Sequence, residues 1–338
     1  MSPGDGVPRG TLHELTMRSE DSTIYPGVDR KPPVEGADPE LFDPRFRGLG
    51  IRLEQFGQPE FDGVYGSHFP GGGHAMNADA DTPDLFLPGA QPYERAVTVY
   101  TPPGLDGSSP APFMVVNDGP GYVAAMAPMM DTLIAEKRLP HNLVALFVSS
   151  GGSDAQGSQR GLEYDTMDGV FAEFVETEVI PFVSAECGIS LTSDPEGRGA
   201  MGGSSGGCAA FTMAWYRPDL FRRVLTYSGT YVNQQYPYDP ATPTGCWEYH
   251  GGQELIAASP KKPLRVALFN TELDNGHGLP ERTLHNWTRA NSRMATILKA
   301  KGYDCRHVFC LDAGHVDRRA VAHTLAGGLE WLWRGYAV

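Results

Sequence analysis

From Arg95 to the end of the chain, short apolar runs alternate with stretches of helical periodicity, and no other feature limits the fold so tightly. Ala96–Tyr100, Pro112–Val116, Asn142–Val148, Gly199–Met201, Arg223–Tyr227, Leu264–Phe269 and Arg306–Cys310 read as strands, several of them bounded by Pro, Gly, Asn or Asp. Between them, 123–137, 167–186, the stretch ending at Tyr216, 286–301 and 317–334 read as helices. Met126, Met129, Met130 and Leu133 lie near one face of the first, and Val170, Phe171, Phe174, Val175 and Val179 supply the apolar positions of the second. Parallel strands need crossovers, and helices are the usual crossovers. The alternation therefore implies the α/β class: a mainly parallel sheet with helices on both faces. Such sheets bind ligands beyond the carboxyl ends of their strands, so chemistry is to be sought in the residues that follow each strand.

The first 94 residues are different. Thr11–Met17 reads as a strand, and 27–92 as a long irregular insert rich in Pro, Gly and Asp. The expected organisation is an N-terminal β extension and insert over 1–94, and an α/β unit over 95–338, folded as one compact body. Loops that long in a compact protein are functional or disordered. A lid over the strand ends, a contact in a homo-oligomer and a plain surface excursion are the three readings of this one. His68 and His74 flank its glycine run, but no Cys or carboxylate stands at ligand spacing, so no metal is expected.

A net charge of −14 disfavours phosphate backbones and anionic lipid, which excludes nucleic acid and membrane surfaces as natural partners. No apolar run approaches the length of a membrane span. The opening MSPGDGVPRG has no basic patch followed by an apolar stretch, so a cytoplasmic location is expected. The five cysteines, Cys187, Cys208, Cys246, Cys305 and Cys310, form no close pair. An odd count without CxxC spacing fits neither a disulfide framework nor a zinc site, and Cys208 is expected to pack as a small apolar residue.

Met201-Gly202-Gly203-Ser204-Ser205-Gly206-Gly207 lies between a strand and an alanine-rich helix. That context is the one a G-x-S-x-G nucleophile elbow needs. The turn is sharp, so residues beside the serine must be small, and it aims a helix N-terminus at a developing oxyanion. Two registers satisfy the motif. Ser204 as nucleophile leaves Gly202 at the strand end and Gly206 and Gly207 for helix–strand packing, and is preferred over Ser205. In this order of elements the acid follows, and then the histidine. His315, after the last strand and before the final helix, fits the base; His323 lies inside that helix. Glu272 and Asp274, after the strand 264–269, are the candidate acids, with the task of orienting the imidazole and stabilising its cation. The backbone N–H of Ser205 is one expected oxyanion donor. The second comes from the loop 117–122: Pro120 has no N–H, Gly119 can approach without a Cβ, and Gly121 is the alternative. Tyr122, Arg160, Glu163, Trp247, His250, His285 and Trp287, on loops near strand ends, are candidate pocket residues, with Arg160 and Glu163 also readable as an ion pair.

Met201 to Phe211 resembles the elbow and helix of the enterochelin-esterase-like branch of the α/β-hydrolases, which includes esterase D-type and feruloyl-type esterases. Arg217-Pro218-Asp219-Leu220-Phe221, Ser228-Gly229-Thr230-Tyr231, Arg160-Gly161-Leu162-Glu163-Tyr164 and Asp118-Gly119 are similar to it as well. The resemblance covers about 95–338. It implies the α/β-hydrolase fold and assigns the nucleophile to Ser204. Laid on Pro263-Leu264-Arg265, the family's G-x-x-acid loop carries the acid onto Asp274, with Thr271 in place of the glycine. It implies a serine esterase that hydrolyses a small-molecule ester without a cofactor. The same triad could serve an acyltransferase, a lactonase or a cyclase, and a binding protein could retain the fold without chemistry.

Overall fold

A computed structural model describes residues 6–27, 92–105, 107, 109–151, 158–235 and 239–336. The interior of the insert, with His68 and His74, lies outside the described residues, and so do the lid and oligomer readings that rest on it. Eight strands form one sheet: β1 (Thr11–Arg18), β2 (Glu94–Thr101), β3 (Phe113–Asn117), β4 (Val144–Val148), β5 (Arg198–Gly203), β6 (Arg223–Tyr227), β7 (Arg265–Leu273) and β8 (Asp304–Gly314). Their spatial order is β1-β2-β4-β3-β5-β6-β7-β8. β2 runs antiparallel to β1 and β4, and the strands from β4 through β3 to β8 are parallel. This is the mainly parallel α/β sheet expected from the alternation, in the α/β-hydrolase arrangement that the resemblance implies.

The helices are α1 (Val123–Ala135), α2 (Ser158–Tyr164), α3 (Val170–Phe174), α4 (Ile180–Cys187), α5 (Ser205–Tyr216), α6 (Leu255–Ala258), α7 (Trp287–Ala300) and α8 (Arg318–Trp333). A π turn at Val175–Val179 joins α3 to α4. Pro181, at the start of α4, has no N–H to give back to the preceding turn, which accounts for a break in what periodicity alone reads as one helix.

Successive strand residues face opposite sides, and the two cores divide accordingly. Phe113, Val115, Leu146, Val224, Val266 and Leu268 pack with α3, α4, α5 and α7 through Phe171, Phe174, Val183, Phe211 and Met294. Met114, Val116, Phe147, Leu225, Ala267 and Phe269 pack with α1 and α8 through Met126, Met130, Leu325 and Leu329. β3 and β4 are buried on both faces, so they are apolar without alternation. Among the described residues no helix is long and apolar enough to cross a membrane.

Two expectations are corrected. The sulfurs of Cys208 on α5 and Cys246 are joined in a disulfide spanning 38 positions, so Cys208 is not a free packing residue. Arg160 and Glu163 lie on the short helix α2, not on a loop, and they are not each other's ion-pair partners: Arg160 pairs with Asp118 and Glu163 with Arg95.

Candidate active site

The elbow has the geometry its composition requires. Ser204 stands between β5 and α5 with φ 56° and ψ −130°, a backbone state costly for any residue with a Cβ. Its carbonyl accepts from the N–H groups of Gly207, Cys208 and Thr230, and its own N–H donates to Tyr227 O at 2.9 Å. A Cβ on Gly202 would stand 2.5 Å from the Gly206 backbone, so the strand can approach the helix only without one. Asn117 Nδ2 donates to Gly206 O at 2.9 Å and ties the end of β3 to the same turn.

Asp118 (φ 53°), Ser228 (φ 47°) and Val316 (φ 46°) share this left-handed backbone. With Ser204 they follow β3, β5, β6 and β8, so backbone strain gathers at one edge of the sheet, where functional sites store it. Val316, β-branched, is the most costly of the four. Its N–H donates to Ser228 Oγ at 3.2 Å, which holds the loop carrying the preceding His315.

His315 Nδ1 meets Asp274 Oδ1 at 2.5 Å. The Asp274 side chain is fully buried, while that of His315 is 23% exposed. The same carboxylate oxygen accepts from the Asn275 N–H at 2.8 Å. A buried carboxylate on one ring nitrogen leaves the other, Nε2, as the imidazole's acceptor and so sets its tautomer. Glu272, the other candidate acid, instead accepts from the Asp312 N–H at 3.0 Å. It braces the extension of β8 beyond Cys310, where Asp312 has φ 52°. That extension carries the chain to Gly314, directly before His315.

Gly119 is buried at the start of a 3₁₀ turn after β3, and a Cβ there would stand 2.3 Å from the Phe147 backbone. Gly121 spends its N–H within the turn, on Asp118 O at 3.2 Å. Asp118 in turn holds Arg160 by two contacts, at 2.7 and 3.2 Å.

The expected pocket residues divide into two groups. Tyr122 comes close to the elbow, since its hydroxyl oxygen would lie 2.7 Å from a Cβ on Gly203. Burial, as the largest influence, raises its phenol well above the ordinary tyrosine range. Trp287 packs edge-on to His315, with ring centroids 6.2 Å apart. Arg160 braces the Gly119 loop through Asp118. The others turn into the fold. Glu163 is buried against Arg95, with contacts at 2.6 and 2.8 Å. Trp247 is buried, edge-on to His250 and under Arg293. His250 bonds Tyr231 O through Nε2 and His285 donates from Nδ1 to Thr283 O. Burial pushes each of these two imidazoles down to about 4, which keeps them neutral.

Three residues at the elbow escape sequence reasoning. Thr230 Oγ1 lies 3.3 Å from Ser204 Oγ. Gln234 Nε2 donates to Ser205 Oγ at 3.2 Å and to Asp165 Oδ2 at 2.8 Å. Burial raises the Asp165 carboxyl to about 6 against the nearby Arg160 cation. Thr230 sits in the segment 228–231 singled out by resemblance, but a threonine there carries no signal of its own. Gln234 and Asp165 are adjacent only through the fold.

The sheet order and the sharp serine turn between β5 and α5 are those of the α/β-hydrolase fold class. The chain belongs to the esterase family described as "Putative esterase", whose model matches residues 90–332; in class it is a carboxylic ester hydrolase. It is 22% identical over 254 residues to the uncharacterized protein YbbA of Bacillus subtilis (strain 168), covering 71% of this chain and 92% of that one. Its fold is similar to that of the enterobactin esterase FES from Shigella flexneri, with a TM-score of 0.52 and 21% identity over 71% of this chain and 55% of the other. It is also similar to that of a ferulic acid esterase, with a TM-score of 0.55 and 17% identity over 71% of this chain and 93% of the other. The chain thus spans about half the length of the enterobactin esterase.

Proposed function

We propose that the chain hydrolyses a small-molecule carboxylic ester in two steps through an acyl-enzyme on Ser204. The observation that carries the proposal is the 2.5 Å contact between His315 and buried Asp274 at the sheet edge that also presents the strained Ser204. Ser204 Oγ attacks the ester carbonyl while His315 Nε2 takes its proton. The backbone N–H groups of Gly119 and Ser205 hold the oxyanion. The imidazolium, stabilised by Asp274, returns the proton to the leaving alcohol. Water then repeats the sequence on the acyl-enzyme and releases the acid. No cofactor takes part.

Fold and strain support this reading, and the family supplies the reaction class. The exposed part of His315, Trp287 and Tyr122 would face the substrate. The Cys208–Cys246 bond favours an oxidising compartment over the cytoplasm, because disulfides persist where thiols are not kept reduced.

The test is turnover of a panel of aryl and alkyl esters by wild type, Ser204→Ala and Ser205→Ala. Loss of the nucleophile should cost on the order of 10⁶ in kcat. Ser205→Ala keeps the backbone N–H and should retain a substantial fraction, less what the lost hydroxyl contact with Gln234 contributes. An active Ser204→Ala beside an inactive Ser205→Ala would move the nucleophile by one residue. Including an acceptor alcohol separates hydrolysis from acyl transfer by the products.

A further inference from the structure

We propose that Trp287, acting through Thr230, sets the direction of the proton on Ser204; the inference rests on the serine mechanism above. Thr230 is 1% exposed, so its hydroxyl must find its partners inside the protein. The indole Nε1–H of Trp287 lies 3.3 Å from Thr230 Oγ1. An indole nitrogen only donates, so Thr230 accepts there. Ser204 Oγ, 3.3 Å away, is then the acceptor left for the threonine's one proton among these contacts. A serine oxygen that receives the Thr230 proton directs its own proton elsewhere, toward His315. In the acylation step Ser204 Oγ bonds to the carbonyl carbon and its proton passes to His315, while Thr230 keeps its own.

Trp287 is built into all sides of this arrangement. Its backbone N–H donates to Asn275 O at 3.0 Å, and Asn275 N–H donates to Asp274 Oδ1 at 2.8 Å. Its ring stands edge-on to His315. Thr230 is anchored as well: its own N–H donates to Ser204 O at 3.1 Å. Asn291 Nδ2 donates to both Gly229 O and Trp287 O, at 2.8 and 2.9 Å, and clamps the two segments together. One tryptophan therefore touches the acid's loop and the base's ring, and reaches the nucleophile through one hydroxyl. Thr230 contacts the reacting oxygen; Trp287 is a positioning residue.

The test is steady-state kinetics of Thr230→Val, Thr230→Ser, Trp287→Phe and the double variant Thr230→Val/Trp287→Phe, with thermal unfolding of each. Valine keeps the threonine's shape without the hydroxyl, and phenylalanine keeps a ring against His315 without the N–H. Thr230→Val should lower kcat by about tenfold, the worth of one hydrogen bond to a reacting atom, with KM kept. Thr230→Ser should restore most of the loss. Trp287→Phe should lower kcat less. The double variant should be no slower than Thr230→Val, because the indole acts through the threonine. Multiplying losses, losses confined to KM, or unchanged kcat in Thr230→Val would overturn the inference. Ser204→Ala run alongside separates the two readings. If it is inactive while Thr230→Val is unchanged, the relay is wrong and the serine mechanism stands. If it still turns over ester, the mechanism falls and the relay with it.

Discussion

Asp274 and Glu272 stand two residues apart, and the end of one strand gives them different work. Residues two apart on a strand share a face, but β7 ends at Leu273, and the chain turns so that the Asp274 side chain is buried on His315 while Glu272 receives the Asp312 N–H. The amino-acid string shows two acids in a suitable loop, and only the family resemblance favours Asp274 over Glu272. The choice depends on a register shift between β7 and β8 at Thr271–Leu273, which no local pattern announces. Asp274→Asn should therefore cost about 10⁴ in kcat, because an amide favours the wrong imidazole tautomer, whereas Glu272→Gln should leave kcat within a few-fold. Parallel kinetics of the two variants check this; equal losses would contradict the assignment of the acid. Ser204 was more legible. Small residues on both sides of one serine, between a strand and a helix, are what a tight nucleophile turn demands and little else does, whereas Thr230 looks like any threonine until Trp287 and Ser204 are brought to it.

At the scale of elements, the strands were readable because β3, β4 and β6 are short, apolar and closed by Asn, Asp or Ser. α2 was not: seven residues carry less than two turns of periodicity, and its identity depends on Arg160 and Glu163 finding Asp118 and Arg95. The disulfide was equally hidden, since cysteines 38 positions apart meet only when α5 packs beside the 3₁₀ turn at Gly245–Tyr249. It links the helix that begins at the elbow to the segment holding His250 and Trp247. A cross-link closing a loop of that length is worth roughly 4 kcal/mol in the chain-entropy account. Cys246→Ser should lower the unfolding temperature by several degrees. Reductant should do the same to wild type, and intact mass before and after alkylation counts the thiols. A wild type that alkylates at all five cysteines without reductant would contradict the bond.

For the molecule as a whole, buried titratable groups set the response to pH. His250 and His285 have folded values near 4, below the ordinary histidine value of about 6.5. Between those limits the unfolded chain takes up protons that the folded one refuses, so stability falls as pH falls through that window. Asp165 works the other way. Its folded value of about 6 lies above the ordinary carboxylate value, so the folded chain binds that proton first, and stability gains as pH falls below 6. Two histidines against one carboxyl leave a net loss. The unfolding temperature should drop from pH 7 to pH 4, and drop more steeply in Asp165→Asn; a flat or rising profile would contradict this account.

One serine at the end of β5 is proposed to form the covalent intermediate, and a fluorophosphonate adduct mapped by peptide mass spectrometry locates it. A single phosphonyl group is expected on Ser204, absent in Ser204→Ala and formed far more slowly in His315→Gln, where no base removes the serine proton. An adduct on Ser205, or labelling that persists in Ser204→Ala, would contradict it.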